Sequence, residues 1–312
     1  MSGQRVGPYE ILSPLGSGGM ATVYLGRAIG PDGQEQLVAL KMMHPEIAED
    51  PEFRAMFLDE ARVAASIHHP NVVSTLAVLE HESHICMVMD YVQGATLHEL
   101  VHCLWEEEGA LVPLAAAVSI LLDLLAGLHA AHELRAPDGS PLNVVHRDVC
   151  PQNVLVGTNG VARISDFGVA RAEMRLAATP DGKIKGKLAY MEPERMRGGP
   201  VDRRCDIYSA GVVLWELLTG RALVQGDLFT ISQAVLRGTH ASPRQINGAV
   251  PKLVDEVCMF ALRARAQRYA TAEQFAMALA DAAMRSTIAP ATRPTLGELA
   301  QHAAQSRRQL PP

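Results

Sequence analysis

The 312-residue sequence predicts an α+β chain, with a small strand-rich lobe followed by a larger, mainly helical one. Three observations predict it. Up to Met89, short apolar stretches are divided by glycine, proline and polar turns, with one helical pattern among them. Beyond Gly94 the apolar stretches lengthen to helical size. The length is too great for one minimal core and too small for more than two domains, and 48% hydrophobic with 20% charged residues is a globular composition.

Taken in order, Tyr9–Leu15, Ala21–Ala28 and Gln36–Met42 read as strands, with Pro31-Asp32-Gly33 as a turn. The helix that follows is capped by Asp50, starts at Pro51 and carries Phe53, Phe57, Ala64 and Ile67 on one face. His68–Asn71 ends it. Val72–Leu79 and Ile85–Met89 are two more strands. Ala115–Leu134 is a long apolar helix. Val144–Val156 and Val161–Ile164 contain short strands and loops, and residues 169–187 are basic and irregular. Ile207–Leu218 is almost continuously apolar and predicts a fully buried helix. Val250–Ala264 and Thr271–Met284 are further helices. Ser286–Pro294 reads as a linker, and Thr295-Leu-Gly-Glu298 as a capping box for a short terminal helix. The expected division is a lobe over 1–92, a second over 93–285, and a linker and tail over 286–312.

Charge and cysteine content exclude several function classes. A net charge of −6 gives no general reason to bind nucleic acid or an anionic membrane. Five cysteines, far apart and never in a CxxC pair, argue against a disulfide scaffold and a structural zinc site, and fit a reducing compartment. Met1–Pro8 lacks the apolar core of a signal peptide. The longest apolar stretch, Ala110–Leu128, is broken by Pro113 and Asp123 and reads as a buried helix, so no membrane span and a cytoplasmic location are expected.

A few residues carry chemistry. Gly16-Ser17-Gly18-Gly19 lies between two strands, where glycines let backbone amides approach a phosphate; alone the signal is weak and reads first as a plain hairpin turn. A dinucleotide fingerprint would need a helix directly afterwards, and Thr22–Leu25 is strand-like. Lys41 ends the apolar strand Val38-Ala39-Leu40, and Glu60, near the apolar face of the next helix, is its candidate partner; the pair is either functional or a surface pairing. Asp148, Asn153 and Asp166 stand on loops after apolar strands and offer the oxygen ligands a hard cation takes.

In their order along the chain these residues resemble the protein kinase superfamily: the glycine loop, Val-Ala-Leu-Lys41, Glu60, His146-Arg147-Asp148 with Asn153, and Asp166-Phe167-Gly168. Met191-Glu192-Pro193-Glu194 stands at the Ala-Pro-Glu position, and Asp206 and Arg268 match further family positions. The resemblance covers about residues 9–285. Gly18-Gly19-Met20-Ala21, His69-Pro70-Asn71 and Arg268-Tyr269-Ala270-Thr271 are similar in wording to bacterial eukaryotic-like Ser/Thr kinases. The resemblance implies the two-lobed protein kinase fold, a small antiparallel-sheet N-lobe with one key helix and a larger mainly helical C-lobe. It implies that Leu15, Gly16, Ser17, Gly18 and Gly19 cover the ATP phosphates and that Lys41 holds them while paired with Glu60. Asn153 and Asp166 would bind Mg²⁺, with Mn²⁺ as an alternative, and Asp148 would orient the substrate hydroxyl. Met89 would be the gatekeeper and Asp90–Val92 the hinge. Val23, Ala39 and Leu155 would enclose adenine. Phe167 and His146 would stack in a spine. Arg268 would pair with Glu194, and Asp206 would brace the catalytic loop.

Three departures stand out. Cys150 replaces the usual lysine two residues after the catalytic aspartate, Lys187 replaces the usual Thr or Ser after Gly186, and Glu192 replaces the alanine of Ala-Pro-Glu. The first two are expected to be linked, with Lys187 restoring the missing charge; a solvent-facing lysine is the plain alternative. A lysine beside Cys150 would lower its thiol pKa and could make it reactive; a small filler residue is the plain alternative. Arg147 could pair a phosphate on the activation segment, where Thr179 is the expected site among Arg171, Arg175, Lys183 and Lys185. His81/His84 and His129/His132 have metal-like spacing but no third ligand. The expected function is an ATP-dependent Ser/Thr protein kinase; the alternative is a pseudokinase or scaffold, and a metabolite kinase is a weaker third option. Relatives often add a membrane span and sensor domain, neither of which is seen before Pro312, so a regulatory protein partner or a homodimer is expected to carry the signal.

Overall fold

The computed structural model describes residues 4–30, 33–81, 84–167 and 187–307. Thr179, the basic residues expected around it, Gly168, Gly186 and the Pro31-Asp32 half of the predicted turn lie outside them. Two compact units form. The first holds the described residues up to His69, Val73–Val92 and Phe167; the second holds Pro70–Val72, Gln93–Asp166 and 187–307.

The first unit is an antiparallel sheet of β1 (Arg5–Val6), β2 (Tyr9–Ser17), β3 (Ala21–Ile29), β4 (Glu35–Met43), β5 (Thr75–His81) and β6 (His84–Asp90), in the order β1-β2-β3-β4-β6-β5. Strand periodicity divides β4 between two faces. Val38, Leu40 and Met42 pack with Ile11, Cys86 and Val88 in one apolar cluster. Ala39 and Lys41 alternate with them and turn the other way. After the short helix α1 (Pro45–Ala48) comes α2 (Pro51–Ala65), the one long helix described in this unit. Asp50 accepts a bond from the Glu52 amide at 2.8 Å and Pro51 opens the first turn, as its sequence predicts. Such a cap stabilises a helix by about 1 kcal/mol. Phe57, Ala61 and Ala64 are its buried residues.

β5 begins at Thr75 rather than Val72 because the preceding residues are engaged elsewhere. Ile164 donates to the Asn71 carbonyl, the Asn71 amide donates to Ala162, and Val72 bridges Ile164, so Asn71 and Val72 belong to the second unit.

The second unit has a three-stranded sheet, β7 (Gly94–Thr96), β8 (Val154–Gly157) and β9 (Ala162–Ile164), and mostly helices otherwise. Of the predicted Val144–Val156 stretch only its end is strand; Pro151–Asn153 is a single 3₁₀ turn. The helices are α3 (Leu97–Glu108), α4 (Leu114–His132), α5 (Pro193–Met196), α6 (Arg204–Thr219), α7 (Leu228–Arg237), α8 (Pro243–Ile246), α9 (Lys252–Ala261), α10 (Ala272–Arg285) and α11 (Arg293–Arg307). α4 is long and apolar enough to cross a membrane, but 67% of its apolar window is buried inside the protein, as a core helix requires. α6 is buried almost throughout, as predicted.

The terminal helix differs from expectation. Arg293 and Pro294 form its first turn, and the Thr295 amide donates to Thr292 Oγ1 at 3.3 Å, so the cap is Thr292 and Thr295 lies inside the helix. α11 is 15 residues long rather than short, and it packs on α3, β7 and β8. Gly160, at φ +74°, makes room for it: a Cβ there would stand 1.9 Å from the Arg293 carbonyl oxygen.

Candidate active site

The first unit gathers its candidate residues on one sheet face. Val23 pairs with Lys41, Lys41 with Met87, and Ala39 with Met89, and directly opposed residues share a face. Val23, Ala39, Lys41 and Met89 therefore line one surface. Lys41 Nζ lies 3.3 Å from Glu60 Oε1, with the two side chains only 9% and 7% exposed, so this is a buried ion pair and not a surface one. The Phe57 ring, 5.9 Å from Nζ, closes one side. Asp90 donates its amide to Ser74, and Tyr91 and Val92, which follow, are half-buried.

The glycine loop joins β2 and β3. A Cβ added at Gly16 or Gly19 would meet nothing within 4 Å, and none of Gly16, Gly18 and Gly19 has positive φ. Among the described residues, neither positive φ nor close packing requires glycine at Gly16 or Gly19, and a backbone without side chains there leaves room for a ligand to approach. Not every amide faces outward: Gly18 donates to the Ala21 carbonyl at 2.8 Å and closes the turn. Ser17 Oγ meets Thr22 Oγ1 at 3.1 Å, and Leu15 is half-buried on the same strand.

The second unit holds the remaining residues, including Leu155 on β8. Its centre is Asp148, which is 7% exposed. Asn153 donates through Nδ2 to the Asp148 carbonyl at 2.7 Å and to its Oδ2 at 2.9 Å. Lys187 Nζ donates to the same Oδ2 at 2.7 Å. The structure thus brings Asp148, Asn153 and Lys187 together, with Lys187 37% exposed on its outer side.

The loop carrying Asp148 is held from beneath. Arg147 sits at φ +69°, a conformation costly for a residue with a Cβ. The Asp206 carboxylate offsets this by accepting the amides of His146 at 2.8 Å and Arg147 at 2.7 Å, with His132 Nε2 at 2.7 Å. Burial alone would raise the Asp206 pKa; the bonds from His132 and the Arg147 amide, with the nearby His132 and His146, outweigh it and hold the carboxyl below its usual value. His146 accepts the Asp148 amide at Nδ1, which leaves Nε2 to donate to the Ser165 carbonyl at 2.8 Å. The Ser165 amide in turn donates to the Asn153 carbonyl at 2.9 Å, tying the Asp166 segment to the Asn153 turn. Asp166, at φ +63°, accepts from Ser165 Oγ at 3.3 Å. The Asp166 carboxylate and the Asn153 amide oxygen are hard donors, the set that suits Mg²⁺.

Arg268 and Glu194 pair as the resemblance implies. Arg268 reaches both carboxylate oxygens of Glu194, at 2.7 and 3.1 Å, and lies over the Tyr208 ring. Cys150 stands beside Asp148 and Lys187 but is not activated. It is 2% exposed, and burial, then the Asp148 charge, push its thiol well above the ordinary value; the opposing effect of Lys187 is smaller. Of the two readings of Cys150, the buried filler residue is the one this geometry fits. Glu192 is 1% exposed, and burial raises its pKa. Sequence reasoning missed the contacts that anchor the segment after Lys187. Tyr190 donates its hydroxyl to Glu216 at 2.7 Å, and Ser209 Oγ donates to the Tyr190 carbonyl at 2.8 Å. An isolated glutamate near the end of the apolar helix α6 was the available signal. His132, weighed as a metal ligand by its spacing, is instead the brace of Asp206.

This geometry agrees with what the chain is similar to. A family model, the protein kinase domain, matches residues 9–303. The chain is 40% identical over 280 residues to the tyrosine-protein kinase MasK of Myxococcus xanthus, covering 88% of this chain and 43% of that protein. It is 35% identical over 277 residues to the serine/threonine-protein kinase PrkC of Bacillus subtilis, covering 87% and 40%. The crystal structure of the Mycobacterium tuberculosis PknI kinase domain superposes with a TM-score of 0.68 at 26% identity, covering 91% of this chain and 99% of that one. The chain belongs to the protein kinase family. It spans about two fifths of the length of the two curated relatives.

Proposed function

We propose that the chain is an ATP-dependent serine/threonine protein kinase that transfers the γ-phosphoryl group of ATP to protein hydroxyls, its own included, in bacterial signalling. The observation that most supports this is the Asp148 carboxylate, buried and held by Asn153 and Lys187 within bonding distance. A carboxylate so fixed can orient a substrate hydroxyl and accept its proton. Lys187 supplies the cation that Cys150 does not. Lys41, fixed by Glu60, would hold the α- and β-phosphates under the loop Leu15–Gly19. Val23, Ala39, Met89, Asp90, Val92 and Leu155 would receive the adenine. Asn153 and Asp166 would hold Mg²⁺, or Mn²⁺ in its place, and the bound cation would neutralise phosphate charge. Five free, buried cysteines fit a reducing compartment, and we place the domain in the cytoplasm. Its protein substrates, and a regulatory partner or second copy that carries its signal, remain to be captured.

The test is intact mass over time with ATP, Mg²⁺ and a basic protein substrate, beside Asp166→Ala. Phosphate accumulating only on the unsubstituted protein supports the reading; ATP binding with no incorporation moves it to a pseudokinase. Analysis of the phosphorylated residues separates a second reading, tyrosine specificity. That reading is favoured by the MasK similarity and by the change of both usual Ser/Thr markers, at Cys150 and Lys187.

A further inference from the structure

Helices α3 and α11, far apart in the chain, bring three side chains of different ligand chemistry together. Cys103 and Glu107 stand one turn apart on α3 and therefore share a face. His302 of α11 meets them. The Cys103 Sγ, a Glu107 carboxylate oxygen and a His302 ring nitrogen all lie within 4.8 Å of one another. His302 Nε2 is 3.0 Å from Glu107 Oε2 and 3.9 Å from Glu108 Oε1. Ligands of a tetrahedral Zn²⁺, at about 2.0–2.3 Å from the ion, stand roughly 3.3–3.8 Å apart. Binding an ion would require the three groups to close by up to about 1 Å.

The backbone of α11 is held independently of them. Arg293, in the first turn of α11, binds Asp123 of α4 through both terminal nitrogens, at 2.5 and 2.9 Å, and the Gly160 carbonyl at 2.9 Å. Gly297 lies so close to the Thr158 carbonyl oxygen that a Cβ would stand 2.3 Å from it. The seat of α11 is therefore fixed by contacts outside the cluster, and α11 packs on α3 there, as a site of useful affinity requires.

We propose that Cys103, Glu107 and His302 form a Zn²⁺ site that fastens α11 to α3, with Glu108 or a water as fourth ligand. Thiolate and imidazole beside a carboxylate select zinc over Mg²⁺ or Ca²⁺, so this site is chemically distinct from the all-oxygen pair Asn153 and Asp166. The ion replaces the Cys103 Sγ to Ser306 Oγ bond of 3.4 Å and the His302–Glu107 pairing. The thiol proton leaves to solvent as the metal–sulfur bond forms. Sequence spacing cannot show the site, since its ligands share no local motif.

Cobalt(II) alone, added without nucleotide to the full 312-residue chain, is the probe. Thiolate ligation gives cobalt an intense near-ultraviolet charge-transfer band that oxygen ligands do not. The expected result is a band that saturates at one equivalent, is erased by Zn²⁺, and is absent in Cys103→Ser. His302→Ala changes an exposed side chain, leaves the core intact, and is expected to weaken cobalt binding by about tenfold or more. Zn²⁺ should also raise the Tm of the unsubstituted protein and not that of His302→Ala. Absence of the band in the unsubstituted protein overturns the proposal, as does a band that survives Cys103→Ser, since the thiolate would then belong to another cysteine, or one that survives His302→Ala at unchanged affinity, since the imidazole would then not be a ligand.

Discussion

Replacing Lys187 by threonine restores the usual family residue at that position and is expected to cripple this protein. The Lys187 Nζ stands 2.7 Å from Asp148 Oδ2, and the Asp148 side chain is only 6% exposed. The pair is therefore more than a surface salt bridge, although Lys187 itself is 37% exposed and partly screened. Removing one preorganised charge-stabilising donor costs on the order of 10²–10³ in rate, or roughly 3–4 kcal/mol. Partial exposure of Lys187 puts the expected loss in kcat near the lower figure, about 10². The assay is steady-state phosphorylation of a peptide at saturating ATP, with thermal melting to show that the variant is folded. The double variant Cys150→Lys with Lys187→Thr returns the cation to the usual family position and should recover most of the loss. A Lys187→Thr loss below about threefold, under ~1 kcal/mol, would show that the lysine is only a surface charge. A full loss that the folded, ATP-binding double variant does not recover would refute the exchange of positions while leaving Lys187 essential.

Other perturbations test the frame around the site. Glu216 is held up to about 7 by burial. Its raised pKa means that the folded state binds the proton more tightly, so its contribution to stability is full below the ordinary glutamate range and is lost as pH rises toward 7, by about 3 kcal/mol in all. Glu216→Gln should flatten the fall in Tm between pH 5 and 7.5, and equal slopes for the two proteins would contradict this. Glu194→Ala leaves Arg268 buried beside Tyr208 without its anion, and about 3 kcal/mol of stability should go in urea titration; a loss under ~1 kcal/mol would mean the carbonyls of Arg204 and Arg263 suffice. Gly160→Ala must displace the Arg293 carbonyl, and should expose α11 to proteolysis while α4 and α6 stay protected. Unchanged cleavage would mean that α11 is not seated through this contact.

What was legible in the sequence follows from where the determining physics lies. Lys41, Asp148, Asn153 and Asp166 could be singled out as candidates because the chemistry proposed for them depends on residue type at a position in the chain. Glu60 could be named as the partner because a lysine entering a core needs an anion and the next helix carries one near its apolar face, but only the structure shows the pair to be buried. Cys150 stayed open between a reactive thiol and a filler for the complementary reason: its charged neighbour is visible in sequence, but the burial that outweighs that neighbour is not. The capping boxes make the same division within one motif. Thr295 and Glu298 have the required spacing, yet the helix starts before them, because Arg293 is drawn to Asp123 and Thr292 is left to cap. Thr96 and Glu99 have the same spacing and form both reciprocal bonds, at 3.1 and 2.8 Å, opening the α3 that sequence reading left unassigned. Local signature is identical in the two cases, so the difference lies in tertiary contacts. A buried carboxylate in the middle of α4, which sequence shows only as a break in an apolar stretch, decides where a helix more than a hundred residues later begins.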